Sequence, residues 1–552
     1  MNKILYSIIL LSIAMLVGCN EDLLDIEQKG VKNEQNFYKT DEDAEEAVAA
    51  IYMRFRRAYC GNNWDYTYAQ GLWLKCLLAD ELLSGGNSPS DQQAIQELSR
   101  SEVQSNNMFV LGYYEQLYET IYLSNLLIEN FGKSADTDVK RRDVAEAYFF
   151  RALCHFELTT LWGNPPAVDH VLSTHEEMMA SNSTKEQLWH LIETDLNTAI
   201  NSGAMAEKKN ANDKETTTRA TLQAAQALLG KAYLYQGKYA EAKEQLKKVI
   251  DSKKYQLEND ISQFYHVEGS GSKEYIFECN RHRDPTYRMH QGGALTILSN
   301  WPFGTCILSA NSRNYYDFNN SGYGFFNPTR KLYDAFVAEE GPNGYRLRNT
   351  IITFEQQQQM EIYYNGSQIS FYGHEGLFRM KWLPNNKDEV FSSWAGSEAT
   401  TPVMRYADIL LMMAEACVQT DDGQGAAQYL NMVRSRAKLE NKNTVTMDDI
   451  KKERQLELAM EGVRFQDLIR WGDASKELAD KGKKHCYFYI KPDASNNYRS
   501  SDGILNAKYE TYVQYEDNTN SLAGWTPNRD ELLPYPQNEI DVNPNIVQNP
   551  GY

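Results

Sequence analysis

The sequence lacks the short motifs that mark most zinc-dependent, nucleophilic and nucleotide-binding enzymes. No HExxH, GxSxG, P-loop or GxGxxG pattern occurs in it. Its eight cysteines include no CxxC pair, and its nine histidines have no convincing set of partner ligands. We therefore expect no catalytic residues, no transition-metal site, no disulfide framework and no cofactor. A Ca²⁺ site formed by loop oxygens remains an open alternative, although no EF-hand pattern supports it.

Positive charge and long apolar runs are also scarce. The chain has 56 Lys and Arg against 75 Asp and Glu, which gives a net charge of −19. A protein this acidic repels phosphate backbones, so nucleic acid is not expected as a partner. With 552 residues the chain is long enough to bury a large core, and its one long apolar run stands at the N-terminus.

This apolar run extends from Ile4 to Val17, which is shorter than the roughly 20 residues that cross a bilayer. It predicts a secretory signal peptide over residues 1–18. The stretch LVGC, residues 16–19, resembles the bacterial lipobox, which implies cleavage before Cys19 and lipidation of that cysteine; an ordinary signal peptide with an incidental cysteine is the alternative. The acidic residues behind Cys19 resemble the export signal of surface lipoproteins. We expect a lipid-anchored, surface-exposed protein of the cell outer membrane, with residues 19–40 as its arm.

Residues 41–255 show the apolar periodicity of helices. In TDEDAEEAVAAIYMRFRRAY, a stripe of Ala47, Ile51 and Phe55 follows a cap at Thr40 or Asp41. Similar stripes recur along the region, which predicts a series of amphipathic helices that pack on a shared core. The seven cysteines that follow Cys19 are expected to be mostly small buried residues of this core and its surroundings.

The stretch ALLGKAYLYQGKYAEAKEQLKKVI, residues 227–250, has the spacing of a tetratricopeptide helix hairpin. Gly230 is small enough for two helices to approach closely, and Gly237 predicts the turn between them. Because one such hairpin cannot bury its apolar face alone, neighbouring hairpins are expected, and residues 405–437 supply one of them.

The composition changes twice after the first helical region. Residues 256–401 are rich in Gly, Asn, Tyr and short apolar runs, which predicts loops and short strands, whereas residues 402–475 return to helical periodicity. Residues 476–552 are loop-rich and end in LLPYPQNEIDVNPNIVQNPGY, whose four prolines argue against a regular helix or a central strand. The predicted fold class is mostly α, with tetratricopeptide-like helix-hairpin repeats, a loop-rich mixed insertion and a loop-rich C-terminal closing segment.

Four separated segments resemble the SusD/RagB family of Bacteroidetes nutrient-binding lipoproteins: AYFFRALCHFELTTLWGNPP, RYADILLMMAEA, IKKERQLELAMEGVRFQDLIRWG and the terminal LLPYPQNEIDVNPNIVQNPGY. They occur in family order and, with the lipobox, cover essentially the whole chain. The resemblance implies an α-helical fold with tetratricopeptide repeats, no catalysis, and a SusC-like TonB-dependent transporter as partner. It implies capture of an oligosaccharide or polysaccharide for import. A peptide ligand, or a repeat scaffold that docks proteins without a small ligand, is the alternative.

One of these segments carries six charged residues that project from one side if a single helix continues through Gly462: Glu453, Glu457, Glu461, Arg464, Asp467 and Arg470. Paired carboxylates can serve a glycosidase as acid and nucleophile. The nearby arginines, however, lower carboxylate pKa values, which is the opposite of what a general acid requires. We expect an ion-pair ladder that fixes helix packing.

Ligand-binding residues are expected in loops that combine aromatic and polar side chains. A sugar ring packs its C–H face on an aromatic ring, while its hydroxyls need polar partners at the edge. The predicted aromatic platforms are Trp301, Tyr315, Tyr323, Tyr287 and Trp64. The polar loop SGGNSPSDQQ supplies Asn87, Asp91 and Gln92 as predicted hydroxyl partners. Arg283 belongs to a basic patch with Arg281, Arg288 and Arg313, which is either a solvated face or a contact for an anionic glycan.

Overall fold

The computed structural model describes residues 37–60, 71–280, 306–308, 322–364, 368–383, 399–499 and 503–552. For 217, 306–308, 497–499 and 503–506 the description is limited to the backbone. Within these ranges, helices and short paired strands alternate along the chain. None of the described helices is both long and apolar enough to span a bilayer.

The described part of the chain contains eighteen α-helices. They are α1 Asp41–Cys60, α2 Gly71–Leu78, α3 Gln93–Arg100, α4 Met108–Phe131, α5 Asp138–Trp162, α6 His175–Met178, α7 Lys185–Asn201, α8 Leu222–Tyr235, α9 Tyr239–Asp251, α10 Arg330–Glu340, α11 Tyr345–Thr350, α12 Phe354–Gln359, α13 Tyr406–Gln419, α14 Gly423–Arg436, α15 Met447–Glu457, α16 Arg464–Trp471, α17 Ala474–Glu477 and α18 Gln537–Val542.

The strands are short and form small antiparallel sheets. They are β1 Leu82–Gly85, β2 Tyr275–Cys279, β3 Cys306–Leu308, β4 Phe325–Pro328, β5 Ile351–Thr353, β6 Ile362–Tyr364, β7 Ile369–Tyr372, β8 Leu377–Arg379, β9 Thr401–Arg405, β10 Lys484–Pro492, β11 Asn497–Arg499, β12 Gly503–Asn506 and β13 Tyr509–Asp517. Five described sheets are two-stranded pairs: β1 with β4, β2 with β9, β3 with β6, β5 with β8 and β11 with β12. A sixth has three strands in the order β13, β10, β7.

The first helix begins where the sequence predicts its cap. The Thr40 hydroxyl accepts the backbone N–H of Asp43 at 3.1 Å, and the Asp43 carboxylate accepts the N–H of Thr40 at 2.9 Å. The predicted stripe faces the core, because Ala47, Ile51 and Phe55 are all buried. Hydrogen bonding at the cap and apolar burial along one face therefore fix both the start and the orientation of α1.

The predicted tetratricopeptide hairpin is formed by α8 and α9. Gly237 makes the turn with φ of +72°, a conformation that glycine adopts without strain. A Cβ atom on Gly230 would come within 2.9 Å of the buried side chain of Leu246, so only hydrogen at this position allows the two helices to approach so closely. The small residues named from the sequence are thus the ones that set the interhelical distance.

Neighbouring helices cover both faces of this hairpin, as a repeat fold requires. Helix α1 packs on α4 and α5, α5 packs on α7, α7 packs on α8, and α9 packs on α13, which in turn packs on α14 and α15. Together they bury one continuous apolar core. The predicted mostly α fold class is confirmed, while the predicted domain boundaries stay predictions. Six of the seven predicted core cysteines are buried, and the side chain of Cys306 lies outside the described atoms.

The C-terminal segment differs from its loop-rich prediction in two places. Strands β10 and β13 form a nine-residue antiparallel pair, from Lys484↔Asp517 to Pro492↔Tyr509. The proline-rich tail contains α18, which begins directly after its N-cap Pro536. The prolines bracket this short helix instead of interrupting it, since proline is tolerated at a helix start.

Replacing Gly230 with Val should destabilise the hairpin of α8 and α9. The new side chain would overlap Leu246, which is 0% exposed and has no open space to move into. We expect a loss of about 1–3 kcal/mol in the free energy of unfolding, measured by urea denaturation. Gly423→Val is the matched control, because no atom lies within 4 Å of a Cβ at that position. Equal destabilisation by both variants would contradict the close approach.

Candidate ligand-binding site

The predicted site residues fall into two groups. Cys19, Trp64, Arg283, Tyr287, Trp301 and Tyr315 lie outside the described residues, as do Arg281, Arg288 and Arg313. The loop residues Asn87, Asp91 and Gln92 and the aromatic Tyr323 are described. The geometry of the candidate site therefore rests on the loop from Gly85 to Gln92, called the polar loop below, and on Tyr323.

Strands β1 and β4 bring these two distant parts of the sequence together. They pair antiparallel, with Leu82 opposite Pro328 and Gly85 opposite Phe325. Beyond the strands the pairing extends through the N–H of Gly86, which donates to the carbonyl of Gly324 at 3.3 Å. Asn87 directly follows Gly86 and Tyr323 directly precedes Gly324, so both residues lie next to this last backbone contact. The polar loop and the aromatic candidate thus share one edge.

A buried amide fixes the shape of the polar loop. Gln96 is 0% exposed, and its Nε2 donates to the carbonyls of Gly85 at 2.9 Å and Asp91 at 2.8 Å. Its Oε1 accepts the hydroxyl of Ser84 at 2.5 Å. One side chain therefore holds both ends of the loop, and its own polar atoms are satisfied in the process.

Close backbone contacts at the base restrict the loop further. Gly85 has φ of +76°, and a Cβ there would lie 2.1 Å from the carbonyl oxygen of Gly324. Gly373, which follows β7, approaches so closely that its Cβ would lie 2.6 Å from the nitrogen of Gly85. Asn327 joins these segments, since its Nδ2 donates to the carbonyls of Gly324 at 2.8 Å and Gly373 at 2.9 Å.

The predicted hydroxyl partners in the polar loop have different roles. Asp91 shapes the loop, because its Oδ2 accepts the N–H of Asn87 at 2.9 Å. The side chains of Asn87 and Gln92 are exposed and make no hydrogen bond to other described residues. Tyr323 is 46% exposed and its hydroxyl likewise has no hydrogen-bond partner among the described residues. Two amides and one ring are therefore presented to solvent by a rigid base.

The start of β1 is held by the charged run that the sequence predicts as an ion-pair ladder, here called the ion-pair network. Asp80 accepts from Arg464 Nε at 3.0 Å, and Glu81 Oε1 accepts the N–H of Met460 at 3.1 Å. The condition that one helix continues through Gly462 is not met. Helix α15 ends at Glu457 and α16 begins at Arg464, with Gly462 at φ of +72° in the intervening turn. Through Met460, this turn contacts Glu81, which directly precedes β1.

The carboxylates of the network pair mainly with arginines from other parts of the chain. Glu457 binds Arg405 Nη1 at 2.7 Å and Arg346 Nη1 at 3.2 Å, and it also pairs with Arg436. Glu461 binds Arg405 Nε at 2.7 Å and Lys381 Nζ at 2.6 Å; Glu453 binds Arg346 Nη1 at 2.6 Å. The predicted structural role of these charges is confirmed by this geometry, although most partners differ from those the sequence suggested.

Electrostatics in the network disfavour general acid chemistry. Burial opposes ionisation of Glu457, but Arg436, Arg405 and Arg346 outweigh it and hold its pKa well below the usual range. Glu81 is the opposite case, because burial and the charge of Asp80 raise its pKa to about 8. Since Glu81 is only 1% exposed, this carboxyl has no access to a ligand in solution.

A cleft of about 590 Å³ lies beside β1, and two of its lysines, Lys331 and Lys481, are bound by protein groups. Lys331 Nζ contacts Asp80 Oδ2 and Glu477 Oε2, both at 2.8 Å. Lys481 Nζ donates to the carbonyls of Leu77 at 2.5 Å and Ser99 at 2.7 Å, and burial lowers its pKa to about 7. These bonds connect the segment before β10 to helices α2 and α3. The lysines of the cleft therefore stabilise the base of the polar loop.

The structure also reveals an aromatic surface that the sequence analysis did not predict. Tyr487 and Tyr489 on β10 and Tyr512 on β13 lie on the outer face of the three-stranded sheet. The alternation in HCYFYI, residues 485–490, is the signal that could have predicted it, because every second residue of a strand faces the same side.

These observations define a class: a helical-repeat protein of mostly α fold that presents a rigid loop with free amides beside exposed tyrosines. Comparison with known proteins gives the particular family. The model of the SusD family matches residues 273–552, and a second model, described as starch-binding and associating with the outer membrane, matches residues 31–234. The chain belongs to the SusD family.

Relatives are similar along their whole length. A SusD-like protein of Bacteroides ovatus is 22% identical, with 97% of this chain and 96% of that protein covered. The SusD-like protein P2 of Formosa agariphila is 24% identical, with 100% and 99% covered. Among solved structures, a laminarin-binding SusD-like protein has a TM-score of 0.73 at 25% identity, covering 93% of this chain and 100% of that one. Surface glycan-binding protein A of Bacteroides thetaiotaomicron, in complex with laminarihexaose, has a TM-score of 0.70 at 26% identity with the same coverage.

Replacing Glu457 with Gln should strongly destabilise the protein at neutral pH. The isosteric amide leaves buried arginines without their counter-charge, which costs about 3–5 kcal/mol. The pKa of Glu457 is lowered in the folded state. Its contribution to the free energy of unfolding is therefore fully present above the unfolded pKa of about 4.3 and is lost as the pH falls through the folded pKa. The difference between wild type and variant in urea denaturation should therefore shrink below about pH 4.

Asp251→Asn is the control for this prediction. Its ion pair with Lys247 is 59% exposed at the aspartate, so its loss should change the free energy of unfolding by no more than about 0.5 kcal/mol. A Glu457→Gln variant as stable as this control would contradict the assigned role of the network.

Proposed function

We propose that this protein binds oligosaccharides at the cell surface without cleaving them and delivers them to a SusC-like TonB-dependent transporter. The observation that carries the proposal is the rigid polar loop, whose exposed amides of Asn87 and Gln92 share the edge of the β1–β4 pair with the exposed ring of Tyr323. An aromatic ring offers a stacking surface for the C–H face of a sugar, and amides bind its hydroxyls.

Membership of the SusD family supports a glycan as the ligand. Two of its structural neighbours are described as binding laminarin or as bound to laminarihexaose, and one family model is described as starch-binding. Stacking and edge hydrogen bonds of this kind give dissociation constants on the order of micromolar to millimolar. Such weak binding suits a protein that must release its ligand to a transporter.

Binding without cleavage agrees with the electrostatics of the charged run. Its carboxylates are buried among arginines and lysines, and the raised pKa of Glu81 belongs to an inaccessible group. A glycosidase requires an accessible pair of carboxyl groups, one of them protonated. Incubating the purified protein with laminarin and amylopectin should leave both polymers intact by size analysis, and the appearance of shorter products would overturn this part of the proposal.

Replacing Tyr323 with Ala should weaken glycan binding by about 1–3 kcal/mol, or roughly 5- to 150-fold in dissociation constant, because the stacking surface is lost. The measurement is calorimetry with laminarihexaose and with maltohexaose, using the protein that lacks residues 1–19. Tyr122→Ala is the matched control, since Tyr122 is 50% exposed on α4 and lies outside the site. Equal affinities of the two variants would reject Tyr323 as a platform; a protein that binds neither sugar, nor any member of a glycan array, would favour peptide binding or a docking scaffold.

We also propose that Cys19 carries the lipid anchor. Replacing Cys19 with Ser should release the protein from the membrane fraction, because a signal without its lipidated cysteine leaves no anchoring chain. The measurement is fractionation of cells that express each form, with labelling by a radioactive fatty acid. Cys60→Ser is the control, since Cys60 is buried in the folded body. An unlabelled wild-type protein would contradict the anchor.

A further inference from the structure

The outer face of the three-stranded sheet carries a set of partly exposed aromatic rings. On β10, Tyr487 and Tyr489 alternate with buried Cys486, Phe488 and Ile490, so the tyrosines point away from the core. On β13, Tyr512 lies opposite Tyr489 and is 41% exposed. We call Tyr487, Tyr489 and Tyr512 the tyrosine face.

The rings of the tyrosine face are ordered against one another. Tyr489 and Tyr512 stack at a centroid distance of 4.7 Å with an interplanar angle of 16°. Tyr487 lies 6.4 Å from Tyr489, and Tyr372 meets Tyr487 edge-on at 5.4 Å. Packing of this kind holds the rings in place before any ligand arrives, which reduces the entropy lost on binding.

Polar side chains surround the rings on the same face. Gln514 lies opposite Tyr487, Ser370 lies opposite Tyr489, and both are exposed. Glu510 and Lys491 form an exposed pair at one end of the face, with 3.5 Å between Lys491 Nζ and Glu510 Oε2. Aromatic rings with hydrogen-bonding groups at their edges are the arrangement that sugar rings require.

The stability of the sheet does not depend on these exposed rings alone. Its inner face has its own apolar core, in which Phe488 and Ile490 pack with Phe354, Phe371 and Phe378. A cross-strand aromatic pair adds to the stability of a sheet. Tyr487 and Tyr489 are nevertheless only partly buried and Tyr512 is 41% exposed, so part of each ring remains available to a ligand.

The tyrosine face is connected to the polar loop by a buried guanidinium. Arg100 Nη1 donates to the carbonyl of Pro89 at 2.8 Å and to the hydroxyl of Tyr372 at 3.3 Å. Its Nε and Nη2 bind the carboxylate of Glu102 at 3.0 and 2.8 Å. Because Tyr372 contacts Tyr487, a single chain of contacts leads from the polar loop to the rings.

The end of the β10–β13 pair where β10 begins is attached to the same two residues, Arg100 and Glu102. Asn518 Nδ2 donates to Glu102 Oε1 at 2.8 Å and to the carbonyl of Gly482 at 2.9 Å. Gly482 packs against Arg100 so closely that a Cβ would lie 2.1 Å from the carbonyl oxygen of Arg100. The polar loop and the tyrosine face are thus fixed relative to each other by Arg100 and Glu102.

We propose that the tyrosine face is a second glycan-contacting surface, which binds the continuation of a polysaccharide chain held at the polar loop. This inference rests on the proposed function and adds to it the class of ligand: a polymer long enough to contact both surfaces. Two weak contacts on one chain reinforce each other, because binding at the first raises the effective concentration at the second.

A protein partner fits this surface less well. Charged residues are depleted at the centre of protein interfaces, whereas this face has the exposed pair of Lys491 and Glu510 at one end. Strand β13 forms the edge of the sheet, and its exposed Glu516 and Asp517 discourage pairing with a strand of another chain.

The test uses the protein lacking residues 1–19 with Tyr489→Thr and Tyr512→Thr combined. Threonine keeps the strand propensity while it removes both rings. Affinity electrophoresis through gels that contain laminarin or amylopectin gives the dissociation constant for each polymer. We expect the double variant to bind the polymer at least fivefold more weakly than wild type, and Tyr323→Ala in addition to weaken it further.

Val513→Ala is the matched control. Val513 packs on the inner face of the β10–β13 pair, so this substitution leaves the rings of the tyrosine face intact. A control that loses as much affinity as the double variant would assign the loss to hairpin stability and reject the tyrosine face. A folded double variant with wild-type affinity would reject it as well, while the proposed function would stand. If wild type itself is not retarded by either polymer, both proposals fail for these glycans. A wild-type dimer in sedimentation that the double variant abolishes would identify the face as a protein contact instead.

Discussion

Burying the guanidinium groups of Arg346, Arg405 and Arg454, none of them more than 2% exposed, removes three charges from water and requires carboxylates at fixed positions around them. Arg346 binds Glu340 and Glu453, and Arg454 binds Asp408 at 2.7 Å and Asp467 at 2.8 Å. The partners come from helices and strands that are far apart in sequence. Such a network adds little net stability compared with apolar packing. Any other arrangement of the segments, however, would leave a buried charge without a partner. It therefore selects one packing of the helical body.

The same network determines where the two proposed ligand-binding surfaces lie. Arg464 holds Asp80 at the root of β1, and Glu461 holds Lys381 just beyond β8. Strand β1 in turn carries the polar loop and pairs with β4, which follows Tyr323. The polar loop is thus connected to the helical core by buried ionic contacts, and the tyrosine face is connected to the polar loop by Arg100. Each surface is rigid because buried ion pairs fix the element beneath it. Breaking one of these pairs would leave a buried charge without its partner.

The sequence predicts the local parts of this structure better than their association. Helical periodicity, the cap at Thr40 and the small Gly230 act over a few residues, so the helices and the tetratricopeptide hairpin were predictable. The charged run was correctly interpreted as structural, but its main partners, Arg346 and Arg405, are brought to it by the fold alone. Likewise, Asn87 and Tyr323 were each predicted from their chemistry, whereas their proximity depends on the β1–β4 pairing. The pairing of β10 with β13 was not predicted, because the alternation in residues 485–490 indicates a strand but does not identify the partner strand, which the fold brings to it.

Rigidity and weak binding are compatible in such a surface, and the geometry indicates why. Gln96, the close approach of Gly85 and the stacked rings of Tyr489 and Tyr512 hold the candidate contact groups in place without a ligand, so little conformational entropy is lost on binding. The proposed contacts are shallow and open to water, and contacts of this kind are individually weak and dissociate fast. Affinity for a polymer then arises from the number of contacts along one chain. A polymer can be retained by many such contacts while each sugar is released individually, which is the behaviour that transfer to a transporter requires.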